Sequence, residues 1–351
     1  MGRKKQSKSL DVFLNGVKVA DLRKESGGQN TFQYDPDWLS TNFAISNSLP
    51  IREQEYKGEI VARYFDNLLP DNEEIKKAVA QKFGAESTGS FDILKVIGRD
   101  CVGALSFLPE NSAPPPTFEM SYQKLTEKKI AKKIRGLSSV SPLGMEDGDF
   151  RLSIAGAQEK TALLRFEGKW CEPKGLTPTT HIIKTPLGAL NEEINIQDSV
   201  DNEWASMLIC RKFGLQTCNS WIEKFEDQRV LVVERFDRRW VNQESLLRIP
   251  QEDMCQAFGV SPYQKYQNEG GPGAVKISKF LAGSKASADR EIFFKALLVF
   301  DLLWATDGHA KNFSTTMSPS GFSLTPLYDV MSGYFLHARK KRPIQKLKLA
   351  M

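Results

Sequence analysis

The chain contains 351 residues, of which 40% are hydrophobic and 26% charged, and its formal net charge is +5. The length is sufficient for two domains of ordinary size, and the composition is typical of a globular protein. The mild positive charge permits an acidic partner but does not by itself predict nucleic-acid binding. Five scattered cysteines without a Cys-x-x-Cys pair, together with three histidines, argue against a disulfide framework and a zinc site.

The sequence pattern contains no membrane or export signal. The apolar stretch at Leu297–Trp304 is interrupted by Asp301 and is too short for a membrane span. The basic N-terminus lacks the apolar core of a signal peptide. We therefore expect a cytoplasmic protein without a membrane partner.

Residues 1–112 are predicted to form a separate N-terminal subdomain. Apolar and polar residues alternate around Asn15-Gly16, which is a strong hairpin signal. Helical spacing follows at Ile60–Leu68. Three consecutive prolines, Pro114–Pro116, then indicate a linker, and we place the domain boundary there.

Residues 113–236 are predicted to form a β-rich lobe. Glu167-Gly168 marks a second hairpin, and His181–Lys184 is predicted to be a short buried strand that ends in a lysine. Val230–Val233 is a continuous apolar strand. The apolar face of an intervening helix is predicted to consist of Val200, Trp204, Met207 and Leu208.

Residues 237–351 are predicted to form a helical lobe, with helical patterns from Gln251 onward. One helix carries apolar residues with a period near 3.6 and ends directly before Asp307. A hairpin is predicted next, at residues 313–327. The fold class that these patterns predict is α+β, with a β-rich half followed by a helical half.

The predicted hairpin defines the candidate catalytic residues. A hairpin brings its two open ends together, which would set Asn312 beside Asp329, with Asp307 one short loop away. Two oxygen ligands for Mg²⁺ beside a carboxylate that accepts a hydroxyl proton are what phosphoryl transfer from ATP requires. The Asp-x-x-x-x-Asn spacing also matches the catalytic loop of protein kinases, although the spacing alone is common.

The β-rich lobe supplies candidate phosphate-binding groups. Residues 153–160 form a loop of small residues ahead of a strand, where backbone N–H groups can approach phosphate oxygens closely. Lys184, at a strand end, is placed to reach the same phosphates. Glu234 and Phe236 follow another strand and offer backbone groups and an aromatic face to an adenine ring. Each of these features is weak alone.

Eight segments spread along the chain form an ordered set of motifs: Phe65–Asp71, Ile97–Asp100, Ala155–Leu164, Pro178–Lys184, Val233–Trp240, Pro250–Gln256, Asn268–Gly273 and Ala305–Asn312. In this order they resemble motifs of the HipA family, the kinase toxins of bacterial HipBA toxin–antitoxin modules. The resemblance covers essentially the whole chain.

The resemblance implies a two-lobed protein-kinase-like fold with an extra N-terminal subdomain. Residues 113–236 would be the nucleotide-binding lobe, and residues 237–351 would be the catalytic lobe. Asp307 is implied as the catalytic base, with ATP and Mg²⁺ as cofactors. Asn312 and Asp329 are implied as metal ligands, and Ser153 as a site of autophosphorylation. The implied nucleotide contacts are Ile154, Ala155, Gly156, Ala157, Lys160, Lys184, Glu234, Phe236, His309, Asn312 and Asp329.

The resemblance also implies an activity and partners. The expected reaction is phosphorylation of Ser or Thr on a protein, with glutamyl-tRNA synthetase as the best-known target in the family. Its consequence would be inhibited translation, growth arrest and persistence. The expected partners are a HipB-like antitoxin dimer and, through it, operator DNA whose operon the complex represses.

The chain ends earlier than family members usually do, which have further helices after the segment ending at Met351. We therefore expect a shortened catalytic lobe that is less stable than that of a full-length relative. The helix face that we expect to need covering consists of Phe293, Leu297, Phe300 and Trp304.

Two other functions remain open from the residues. A small-molecule phosphotransferase, of the aminoglycoside-kinase kind, would use the same two aspartates and asparagine. An inactive, truncated kinase that serves only as an antitoxin-binding or DNA co-repressor module would fit the basic run Arg339–Lys348. Transfer of labelled phosphate, and the nature of the acceptor, discriminate among the three.

Overall fold

The computed structural model describes residues 8–112, 119–137, 158–187, 189–191, 194–195, 198–242, 244–334 and 350–351. Antiparallel sheets and separate groups of helices make this part of the chain α+β, as the sequence predicts. No helix in it is long and apolar enough to cross a membrane.

The N-terminal sheet is built on the predicted hairpin at Asn15-Gly16. Both residues have positive φ, 47° and 88°, as the central residues of a type I′ turn require. The sheet has the strand order β4-β3-β2-β1-β5 and buries one face against three helices. Its elements are β1 Lys8–Leu14, β2 Val17–Lys24, β3 Asn30–Tyr34, α1 Pro36–Leu39, β4 Tyr56–Lys57, α2 Glu59–Asp66, α3 Glu73–Phe83, α4 Ser90–Ile97 and β5 Leu105–Pro109.

A second antiparallel sheet, the central sheet, has six strands in the order β12-β13-β9-β7-β8-β6. The predicted hairpin at Glu167-Gly168 joins β7 to β8, with positive φ at both turn residues. The elements are β6 Tyr122–Lys124, α5 Glu127–Arg135, β7 Lys160–Phe166, β8 Lys169–Pro173, β9 His181–Lys184, β10 Ala189–Asn191, β11 Ile194–Asn195, α6 Ser199–Lys212, β12 Ser220–Phe225 and β13 Gln228–Glu234.

The remaining part is more helical but includes short strands. The sequence predicts helical patterns from Gln251 onward, but residues 251–253 form a strand instead. This strand pairs with residues 314–316, in the first strand of the hairpin predicted at residues 313–327. The elements are β14 Arg238–Trp240, β15 Leu246–Arg248, β16 Gln251–Asp253, α7 Met254–Phe258, α8 Ala274–Leu281, α9 Asp289–Leu303, β17 Ser314–Ser318 and β18 Gly321–Leu324.

Helix α9 packs its apolar face against the hairpin formed by β17 and β18. Phe293 and Phe300 are 0% and 2% exposed, and their rings lie 4.9 and 5.6 Å from that of Phe313. The expectation that this face lacks a cover is therefore wrong for these two phenylalanines. The exposed apolar residues lie elsewhere on α9, at Phe294, Leu298 and Leu302, one helical turn apart.

A buried charge cluster joins the N-terminal sheet to the rest of the molecule. Asp100, which follows α4, contacts three guanidinium groups that come from the exit of β13 and from β14 and β15. Asp237 is the second carboxylate and accepts a hydrogen bond from the Gly103 backbone N–H at 2.7 Å. The five charged residues of the cluster are Asp100, Arg235, Asp237, Arg238 and Arg248, each at most 9% exposed.

Candidate active site

The candidate site is a cleft of about 270 Å³ between the central sheet and the hairpin formed by β17 and β18. The central sheet contributes Lys160 and Lys184, and the hairpin side contributes Asp307, Asn312 and Asp329. The cleft also reaches the N-terminal sheet's helices, because Asn67 and Asp71 line it. The five residues from the sheet and the hairpin side, all of which the sequence predicts for phosphoryl transfer, therefore share one cavity.

The loop that carries Asp307 is set by the end of α9. Trp304 adopts φ 51° and ends the helix, so the chain turns sharply toward the cleft. Gly308 lies against Phe300, and a Cβ at this position would stand 2.5 Å from the ring. Glycine is therefore needed next to Asp307 for close packing. Asp307 itself is exposed to the cleft, and its Oδ1 accepts a hydrogen bond from the Tyr266 hydroxyl at 2.6 Å.

The hairpin brings Asn312 and Asp329 together, as predicted. The Asn312 Nδ2 lies 3.4 Å from the Asp329 carbonyl oxygen. The Asn312 Oδ1 accepts a hydrogen bond from the His309 backbone N–H at 3.0 Å, which fixes the orientation of the carboxamide. Asp329 has φ 59°, an uncommon conformation for a residue with a side chain and one that is often found at functional sites.

Lys184 connects the sheet to the hairpin through two carboxylates. Its Nζ lies 2.8 Å from Asp329 Oδ1 and 2.7 Å from Glu203 Oε1 on α6. Burial would lower the pKa of Lys184, but the two carboxylates outweigh burial and raise it. The pKa of Asp329 is held well below its usual value because Lys184 and Lys160 outweigh the effect of burial. Both groups are therefore charged at neutral pH.

Lys160 is placed directly opposite Lys184, since the two residues are cross-strand partners in β7 and β9. Burial, reinforced by the nearby Lys184, lowers the pKa of Lys160 to about 8. Like charges opposite each other destabilise a sheet unless anions lie nearby. The pair therefore makes this end of the cleft favourable for the negative charge of phosphates.

The exit of β13 forms the far end of the cleft. Glu234 and Phe236 both line it, and the Phe236 ring lies 5.6 Å from that of Tyr328. Within the described residues, the Phe236 backbone N–H has no hydrogen-bond partner, while the neighbouring Arg235 N–H donates to the Thr180 carbonyl at 2.9 Å. A free donor beside an aromatic ring and apolar walls suits a flat heterocycle such as adenine.

His309 is also in the cleft, but it is buried, with 6% exposure. Burial, helped by the nearby Lys265, lowers the pKa of His309 to about 4, so the imidazole is neutral at pH 7. Its Nδ1 has no hydrogen-bond partner among the described residues. The imidazole therefore lines the cleft without adding charge to it.

Five predicted site residues lie outside the described part of the chain. They are Ser153, Ile154, Ala155, Gly156 and Ala157. Their roles stay predictions.

Two residues that the sequence did not predict, Glu203 and Tyr266, hold predicted site residues through hydrogen bonds to Lys184 and Asp307. Glu203 is 2% exposed and lies on the buried face of α6, between Val200 and Met207. A carboxylate in the middle of an apolar helix face was the available signal, because buried carboxylates are normally paired. No comparable local pattern identified Tyr266, which lies 41 positions before Asp307.

The residues present fit Mg²⁺ held jointly with a nucleotide. No group of three or more His, Cys, Asp or Glu side chains in the described ranges could hold a metal ion by itself. Mg²⁺ commonly takes one or two protein ligands, with phosphates and water completing its coordination. Asn312 and Asp329 provide that number of ligands, on the side of the cleft that faces the two lysines.

Comparisons with known proteins agree with this geometry. Family models described as the HipA N-terminal domain and the HipA-like C-terminal domain match residues 10–108 and 152–351. The chain belongs to the HipA family. A protein of Sinorhizobium fredii assigned as a kinase, Y4mE, is 31% identical over 92% of this chain and 77% of its own length. The serine/threonine-protein kinase toxin HipA of Shewanella oneidensis is 28% identical over 92% and 75% of the two chains.

The fold agrees with that assignment. The structure of the Shewanella oneidensis MR-1 toxin–antitoxin complex of HipA, HipB and operator DNA contains a chain that matches this one with a TM-score of 0.79 and 26% identity. The match covers 97% of this chain and 79% of that chain. The predicted HipA-like, kinase-like α+β fold is therefore confirmed, and membership of a kinase family supports kinase activity in general.

Proposed function

We propose that the protein is a serine/threonine protein kinase that uses ATP and Mg²⁺. The observation that supports this most is the convergence of Asp307, Asn312 and Asp329 on one cleft with the Lys184–Glu203 ion pair. In protein kinases a lysine on a β-strand pairs with a helix glutamate and contacts the ATP phosphates. The chain reproduces this arrangement with residues on β9 and α6.

Each side chain has a distinct part in the proposed reaction. Asp307 accepts the proton of the acceptor hydroxyl as its oxygen attacks the γ-phosphorus, and ADP leaves with the electrons of the broken P–O bond. Lys184 and Lys160 neutralise phosphate charge. Asn312 and Asp329 would hold Mg²⁺, which when bound neutralises charge that develops on the phosphate oxygens. Phe236 and the backbone near Glu234 would hold the adenine.

The family resemblance supports a biological role for this chemistry. We expect the protein substrate to be glutamyl-tRNA synthetase, whose phosphorylation would inhibit translation and lead to growth arrest and persistence. The Shewanella relative is found with HipB and operator DNA. By analogy, we expect a HipB-like antitoxin dimer as partner, operator DNA bound through the complex, and a cytoplasmic location.

Labelled ATP tests the proposal. Purified protein would be incubated with radiolabelled ATP and Mg²⁺, with glutamyl-tRNA synthetase or a bacterial protein extract in one arm and aminoglycosides with other small hydroxyl compounds in the other. Label on protein supports the kinase. Label on small molecules alone would indicate a small-molecule phosphotransferase, and transfer to no acceptor would favour an inactive antitoxin-binding module.

Asp329→Asn should weaken nucleotide binding in the presence of Mg²⁺ by more than it weakens metal-free binding. A carboxylate neutralises the ion directly, whereas a neutral amide does not. Calorimetric titration of both proteins with a non-hydrolysable ATP analogue, with and without Mg²⁺, measures the difference. Equal affinities of the two proteins for the Mg²⁺-bound analogue would remove Asp329 from the metal site.

Ser153 should be autophosphorylated, and the modification should lower ATP affinity. A phosphoserine adds about −1.5 to −2 charges near neutral pH, which would repel the ATP phosphates and compete for the same donors. Incubation with Mg²⁺ and ATP, followed by mass spectrometry of the peptide that carries Ser153, checks the site. Phosphate that is missing from this peptide, or equally present in an Asp307→Asn control, would contradict the prediction.

A further inference from the structure

Helix α2 of the N-terminal subdomain ends directly against the catalytic loop. Asn67, the residue at the end of this helix, is 2% exposed and lines the active-site cleft. Its carboxamide nitrogen donates to the Arg63 carbonyl at 2.8 Å and to the Val260 carbonyl at 2.9 Å. These two bonds fix the side chain and leave the amide oxygen facing Lys311.

The Lys311 ammonium is enclosed by oxygen atoms from two parts of the molecule. It donates to the Asn67 Oδ1 at 2.9 Å, to the Asn67 carbonyl at 3.2 Å and to Asp253 Oδ2 at 3.1 Å. The Asp71 Oδ1 lies at 3.9 Å. The carbonyl end of a helix favours a cation, so α2 adds to the attraction. The buried ammonium is therefore satisfied largely by the N-terminal subdomain.

Lys311 is connected to both residues that would bind metal. It precedes Asn312 in a single 3₁₀ turn, Ala310–Asn312. Its carbonyl accepts a hydrogen bond at 2.8 Å from the hydroxyl of Tyr328, the residue before Asp329. Movement of Lys311 would therefore displace both Asn312 and Asp329.

We infer that Asn67 is a positioning residue through which the N-terminal subdomain holds the metal-binding side of the active site, by fixing Lys311, which precedes Asn312 and contacts the residue before Asp329. The inference rests on the proposed function, since it assigns a role toward Mg²⁺. In this arrangement the N-terminal subdomain contributes to metal binding in the active site, in addition to packing against the rest of the kinase. Groups that orient metal ligands in this way typically change metal affinity about 10- to 100-fold when removed.

The test uses Asn67→Ala in the full chain and measures binding, which requires no turnover. Calorimetric titration with a non-hydrolysable ATP analogue gives the factor by which Mg²⁺ increases affinity. We expect Asn67→Ala to reduce this factor about tenfold and to leave metal-free affinity within about twofold of wild type. A role confined to stability would lower the melting temperature without changing the Mg²⁺ factor.

Ser46→Ala is the matched control. Ser46 is fully buried and also donates a hydrogen bond across the same interface, to Glu252, but it does not touch Lys311. The control should lower the melting temperature and keep the Mg²⁺ factor. An unchanged factor in Asn67→Ala, or an equal loss in Ser46→Ala, would overturn the inference. A wild-type protein that binds the analogue without any effect of Mg²⁺ would instead contradict the proposed function.

A second variant keeps the test decisive if Asn67→Ala does not fold. The double variant Lys311→Met with Asp253→Asn removes both charges of this buried ion pair, so neither is left unpaired. Asp71, the other carboxylate near Lys311, keeps its ion pair with Lys265 at 3.4 Å. Asparagine can still accept the hydrogen bond from the Gln256 backbone N–H that caps α7. The double variant should show the same tenfold loss of the Mg²⁺ factor, and a wild-type factor would overturn the inference.

Discussion

Replacement of Asp307 by alanine should reduce phosphoryl transfer by about 10²- to 10⁴-fold, the usual contribution of a positioned acid or base. The fold should be retained, because Asp307 is exposed to the cleft and its loss creates no cavity in the core. The one partner that it leaves, the Tyr266 hydroxyl, is partly exposed and can be solvated. If expression of the chain arrests growth, as proposed, the arrest should be relieved in parallel.

Asp301→Ala is the matched control for this measurement. Asp301 is also exposed, lies six residues upstream on α9, and its replacement removes the same charge. Initial rates of label transfer and thermal melts of the three proteins would be compared. If Asp307→Ala still arrests growth although transfer is lost, kinase chemistry is not the toxic activity. If Asp301→Ala loses as much transfer, the effect is one of charge or folding and does not identify a base.

Local turn chemistry explains which parts of the site could be predicted from the sequence. The hairpin that joins Asn312 to Asp329 depends on a turn of a few residues between two short strands, so the sequence alone indicated their proximity. The helix that ends before Asp307 was equally predictable from its apolar period. Roles that the family resemblance implies, such as those of Lys184 and Phe236, could be predicted because each residue lies within a continuous motif, and they stay predictions.

Contacts between distant segments explain what was missed. Asn67 meets Lys311 across 244 positions, and no local pattern predicts that an asparagine at a helix end will hold a lysine of the catalytic loop. The error at Phe293 and Phe300 has a similar cause. The helical period identified the apolar face correctly, but only the tertiary structure shows that Phe313 of the same chain covers it.

Replacement of Asp100 by alanine should destabilise the protein by about 3–5 kcal/mol, as expected when one partner of a buried ion pair is removed. Asp100 is 1% exposed and faces Arg235, Arg238 and Arg248 at 3.4, 2.9 and 3.3 Å. Without it, Arg235 and Arg238 would keep only the carboxylate of Asp237, and Arg248 would have no carboxylate partner among the described residues. Asp201→Ala is the control, because the exposed Asp201–Arg229 pair should contribute less than about 1 kcal/mol.

Urea unfolding of the two variants and the wild type would measure the differences in free energy of unfolding. The pH dependence of these differences gives a second check. Burial alone would raise the pKa of Asp100, but Arg238, Arg235 and Arg248 outweigh it and hold the pKa well below the ordinary value. Its stabilisation should therefore be complete above about pH 4, the range of an unfolded aspartate, and should decline at lower pH. The difference in free energy of unfolding between wild type and Asp100→Ala should therefore become smaller as the pH falls. A difference that is small at pH 7, or that grows on acidification, would show that the cluster does not hold the N-terminal sheet to the exit of β13, where adenine is proposed to bind.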